Sequence, residues 1–186
     1  MGITIRQKAD RIGTFRFISV YLMETLARWV PTTPELEAKV LFGRHVWDFA
    51  QHADQLGRRT GELRAAAQYS LRPAAGYFKV LETMASATGT LERVSGFYDG
   101  FLPDLERRYR VYLSETDLLN DDPSVRIIER ILFDLPRLTA DRAAFGAQRS
   151  DLKPLDAGWA ARIAALAAAE GEIVTDRPPA RTSAAV

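Results

Sequence analysis

Apolar residues recur every three or four positions along nearly the whole chain, and Gly and Pro fall between the runs. This spacing predicts amphipathic helices; β-branched runs of period two, which would predict strands, are absent. A first helix is expected from about Ile5 to Trp29, with Ile12, Phe15, Ile18, Leu22 and Leu26 on its core side. Pro31-Thr-Thr-Pro34 should end it. Thr33 then reads as the N-cap of a second helix, with Pro34 at its first position and Glu35 and Glu37 in its first turn. That helix should reach Arg59 or beyond.

Residues 62 to 72 are expected to form a short helix of their own, and a further helix to run from near Ala74 towards Ser86. Gly89, Gly96, Gly100 and Pro103 predict a kinked middle before the pattern resumes at Leu105, Tyr109, Tyr112 and Leu113. Asn120-Asp-Asp-Pro123 is a turn with an acidic helix start. The helix after it, from Ser124, carries Val125, Ile128, Ile131, Leu132 and Leu135 on its apolar face, and Pro136 should kink or end it. An Ala-rich helix is expected over roughly Ala157 to Glu170, and residues 175 to 186 are expected to be a disordered tail. Two long helices, a long crossover and two more long helices predict an all-α four-helix bundle of the ferritin-like kind, with additional short helices, over residues 1 to 174.

The 186 residues, 47% of them apolar, suffice for one domain with a true core. Basic and acidic residues number 25 and 24, a net charge of +1, which argues against a general nucleic-acid binder. The absence of cysteine excludes disulfides, iron–sulfur clusters, Cys-ligated zinc and thiolate catalysis. The polar N-terminus lacks the apolar core of a signal peptide, and the most apolar stretch, 15 to 30, is broken by Arg16, Glu24 and Arg28. The expectation is a cytoplasmic protein with no membrane span. Abundant Ala and a preference for Arg over Lys point to a GC-rich bacterial genome.

Both histidines of the chain lie in the second helix, at His45 and His52, with Asp48 between them. Spacings of three and four place all three on one helical stripe. His and carboxylate groups suit iron, manganese or zinc, and equally serve as acids and bases. The outer two lie about 10 Å apart along the axis, too far to bind one ion together with ease. Glu24, in an apolar part of the first helix, is a candidate carboxylate, or the partner of Arg28. Glu82, Glu92, Glu129 and Asp134 are further candidates. Tyr98, Tyr109 and Tyr112 could line a pocket, although aromatic residues at helical spacing usually form core. Arg107-Arg-Tyr-Arg110 reads as a solvated basic patch.

Three segments resemble an uncharacterised bacterial ferritin-like family: His45-Val-Trp-Asp-Phe-Ala-Gln-His-Ala-Asp54 with Glu62-Leu-Arg64; Ser95-Gly-Phe-Tyr-Asp-Gly-Phe-Leu-Pro103; and Thr116 through Asp134. The resemblance covers roughly residues 35 to 140. It implies an inward-facing metal or ligand site, but the di-metal signature is degenerate. Ferritin-like di-metal proteins place Glu-x-x-His on two helices. After Asp134 this chain has Leu135-Pro-Arg-Leu138, and the position that would need a carboxylate before His52 is Phe49. Any metal would then be a single, weakly held iron or manganese on Glu24, His52 and Asp134, or there is none.

The leading expectation is therefore an enzyme acting on a small apolar molecule in the bundle core. His45, Asp48, His52 and Tyr98 would supply acid/base groups for a cyclisation, isomerisation or dehydration. An iron-dependent oxidase with non-standard ligands and a non-catalytic binding or structural bundle are the alternatives. A homodimer is expected only by analogy with other bundles.

Overall fold

The computed structural model describes residues 3–175, all of whose regular structure is helical. The first helix, α1 (Ile5–Thr32), begins with a reciprocal cap: Thr4 Oγ1 accepts from the Gln7 amide, and the Gln7 side chain accepts from the Thr4 amide. Pro31 lies inside its last turn rather than ending it. The Thr33 hydroxyl donates back to the Trp29 carbonyl at 2.8 Å and also accepts from Arg93, so it closes α1 and cannot cap the next helix. Accordingly α2 (Leu36–Glu62) starts two residues later than expected, after Glu35.

No helix forms over 63 to 74. Arg64 and Gln68 adopt positive φ, and the loop bonds back onto the hairpin beneath it: the Gln68 amide to Gly57, the Leu71 amide to Gly13 and the Tyr69 amide to Thr60 Oγ1. Gly13 allows this approach, because a Cβ there would stand 2.7 Å from the Tyr69 ring.

The short helix α3 (Ala75–Ala85) follows. The kinked middle is one run of three parts: α4 (Thr90–Val94), a π-helical segment (Ser95–Phe101) and α5 (Leu102–Glu115). Pro103 has no N–H to offer the Asp99 carbonyl, which favours a change of hydrogen-bond register there. The Ala-rich α7 (Trp159–Ala169) lies across the π segment. At Gly100 a Cβ would come 2.8 Å from the Ala160 carbonyl, so only glycine admits the contact.

Between them, α6 (Asp122–Gln148) continues past Pro136. The proline is exposed, and Ile128, Ile131, Leu135, Leu138 and Phe145 continue the buried face on both sides of it, so packing outweighs one lost hydrogen bond.

The molecule is thus an all-α helical bundle. Helix α2 packs along α1 and α6, α5 packs against α6, and Phe15 of α1 meets Tyr109 and Tyr112 of α5, closing the ring. Phe78 anchors α3 on Phe17 and Tyr21 of α1. Two buried polar knots fix the ends. Asp121 accepts from Arg59, Tyr112, Thr116 and Ser124, and Arg108 joins Asp104 to the terminal carbonyls of α7 at Ala167, Glu170 and Gly171. No helix among the described residues is long and apolar enough to cross a membrane. The tail expected from 175 onwards lies, beyond Thr175, outside the described residues.

Candidate active site

The polar stripe of α2 meets a matching stripe on α6. On α2 the positions are His45, Asp48 and His52; on α6 they are Asp134, Arg137 and Asp141. Both sets are spaced by three and then four residues, and the helices run antiparallel, so the sets form three rungs. His45 Nε2 lies 3.2 Å from Asp141 Oδ2, Asp48 Oδ1 accepts from Arg137 at 2.6 Å, and His52 Nε2 lies 3.2 Å from Asp134 Oδ2. Arg44 and Arg130 stand 3.9 Å and 3.7 Å from Asp141 and Asp134 at the outer edges.

The partners fix the tautomers. An ionised carboxylate only accepts, so in each ring Nε2 carries the proton and Nδ1 the lone pair. At His45 that lone pair is used: the Tyr98 hydroxyl donates to Nδ1 at 2.5 Å. Tyr98 projects from the centre of the π segment, where the altered register aims it at α2. The His52 ring meets Phe49 edge to face, their centroids 5.6 Å apart, and its Nδ1 is buried with no hydrogen-bond partner. The second oxygen of Asp48 is likewise buried without a partner.

Burial pushes both imidazoles below the ordinary histidine pKa. It outweighs the hydrogen bonds that Asp141 and Asp134 accept from the rings and the field of Asp48, all of which pull the other way. Both rings are therefore neutral at neutral pH. Burial raises the Tyr98 hydroxyl well above its usual pKa, helped by Asp141 and Asp48, so it is a phenol.

The structure thus brings His45, Asp48, His52, Tyr98 and Asp134 together. It does not bring in Glu24, which is exposed on α1, while Arg28 turns to Thr25 Oγ1 instead of pairing with it. Among the described residues no three His, Asp or Glu side chains stand close enough to hold a metal ion, so the expected set of Glu24, His52 and Asp134 does not fit one. Glu82 and Glu129 are exposed, and Glu92 accepts from the Asp156 amide. Tyr109 and Tyr112 are core. The arginines of the 107–110 patch are committed to Asp104, the α7 terminus and Glu106.

Arg137 and Asp141 escaped the sequence reading. Their spacing from Asp134, which repeats that of His45, Asp48 and His52, is the signal that could have found them. No family model matches the chain, and no curated protein or solved structure matches it.

Proposed function

We propose that this ferritin-like bundle is an enzyme that acts on a small molecule by acid/base chemistry at the α2–α6 seam. The observation that carries the reading is the state of His52: buried, its Nε2–H held by Asp134, its Nδ1 lone pair unused. A neutral imidazole oriented by a carboxylate, with its second nitrogen free, is the form in which histidine takes a proton from a substrate. Asp134 would then steady the imidazolium. Tyr98, His45 and Asp141 form a second hydrogen-bonded chain, able to carry a proton to or from the Tyr98 oxygen. One base and one proton carrier in apolar surroundings suit a cyclisation, isomerisation or dehydration of an apolar substrate.

A second reading, a non-catalytic bundle, draws on the Asp48–Arg137 pair, which spans the middle rung as an ion pair between the two helices. Incubating a bacterial metabolite extract with the protein and with His52→Gln, followed by mass spectrometry, separates the two. Glutamine can still donate to Asp134 but cannot act as a base. Under the enzyme reading the protein converts at least one metabolite, and the variant does so ~100-fold more slowly. Identical profiles would favour the non-catalytic bundle. Elemental analysis of protein purified without chelator addresses the oxidase alternative, which needs stoichiometric iron or manganese that His52→Gln loses.

A further inference from the structure

The outer side of α2 carries a second apolar row that the bundle does not use. Leu36, Val40, Gly43 and Trp47 follow at spacings of four, three and four, so they line up on one side of the helix. Leu36 is 70% exposed, Val40 48% and Trp47 66%. A Cβ on Gly43 would meet nothing within 4 Å. On the neighbouring α6, Phe133 is 75% exposed, and Ala140 and Ala144 are exposed as well. A groove of about 310 Å³ runs between the two helices, lined by Val40, Leu41, Ala144 and Phe145, with Glu37, Arg44 and Asp141 as its charged residues. Contiguous exposed apolar surface with aromatic residues at its centre marks an interaction site.

We propose that this face is a homodimer interface, arranged about a two-fold axis near Gly43. A second copy is the occupant because the face complements itself, as an isologous interface must. It carries a projection, Trp47, and a recess, the groove at Val40, seven residues or about 10 Å apart along α2 with Gly43 between them. A two-fold axis at Gly43 sets the Trp47 of each copy on the groove of the other. With no side chain at Gly43, the two α2 helices can approach closely. Charge follows the same symmetry. Arg137, held by Asp48 at the Trp47 end, comes level across the axis with Glu37, held by Arg149 at the groove end, so antiparallel docking sets a basic group over an acidic one. Lys39, which has no ion-pair partner among the described residues, comes level with the Trp47 ring of the other copy, where a cation–π contact forms.

Sedimentation equilibrium of the full chain tests this. The expected mass is twice 20.8 kDa. Trp47→Asp should halve it and keep the helix content, since Trp47 is exposed in the single chain, while its thermal melt loses the concentration dependence that a dimer shows. The absence of cysteine gives a second readout. Under mild oxidation Gly43→Cys should cross-link two copies, whereas Gly171→Cys, equally open but beside α5, should not. A single-chain mass at the highest attainable concentration overturns the proposal. So does a dimer that survives Trp47→Asp, or one that Gly43→Cys fails to cross-link.

Discussion

His52 stands 3.2 Å from Asp134 across the α2–α6 seam, and the nitrogen on the other side of its ring meets no partner. His45, one rung along, has the same carboxylate contact but spends its second nitrogen on Tyr98. Two histidines on one helix thus differ by a single hydrogen bond, and on the function proposed above that difference would separate a base from a link in a relay.

The two buried imidazoles make stability depend on pH. Their folded-state pKa values lie below the ordinary value near 6.5, so the unfolded chain binds protons more readily than the folded one. Their neutral form is accommodated without cost above about 6.5, and stability falls as the pH drops below it, towards the folded values. Each histidine contributes a slope of up to ~1.4 kcal/mol per pH unit within that window. Urea melts between pH 7.5 and 5 should show the loss, and His52→Gln should reduce the slope. A flat profile would mean that neither ring is held neutral.

Tyr98→Phe removes the only donor to His45 Nδ1 among the described residues and leaves a buried acceptor unsatisfied. The expected loss of stability is ~1–3 kcal/mol. Helix content should be retained, because Tyr98 otherwise packs as a ring against Phe97 and His45. Chemical denaturation measures the loss; a change within error would show that the bond does not form.

Arg108→Gln tests the knot that holds α7. The guanidinium is buried, paired with Asp104 and bonded to three carbonyls at the end of α7. Its removal leaves Asp104 with Arg107 and Tyr77 but takes the donor from three backbone carbonyls, and the expected cost is ~1–3 kcal/mol. Hydrogen exchange should accelerate first in α7 and in residues 170 to 174, before the rest of the bundle. Uniform acceleration would contradict this placing of the knot.

Periodicity made most of the bundle legible, because each long helix presents a continuous buried row that no other element type would produce. Boundaries were lost where a side chain had a distant partner. Thr33 looked like an N-cap until Arg93, sixty residues away, engaged its hydroxyl. The helix expected over 62 to 72 failed because its amides bond to α1 and α2, which local spacing cannot reveal. Pro136 does not end its helix, because the proline rule weighs one hydrogen bond and not the buried face that continues past it. His45, Asp48 and His52 were legible as a stripe from their spacing alone. Their partners were half legible: Asp134 was singled out, while Arg137 and Asp141 required the antiparallel register of α2 on α6. Glu24 reads from the sequence as either an inward carboxylate or an exposed partner of Arg28; it is exposed on α1, and local spacing could not choose between the two.

The most direct test of the account is the protonation state of the His52 ring. Nitrogen-15 NMR of the imidazole rings, titrated from pH 8 to pH 5 with His52→Gln to assign the signals, reads it. The account predicts a neutral His52 at pH 7, protonated at Nε2 with a free Nδ1 lone pair, and titrating below the ordinary histidine value. A His52 that is protonated at Nδ1, or already an imidazolium at pH 7, would contradict it, because the base assigned to this seam would have no lone pair to use.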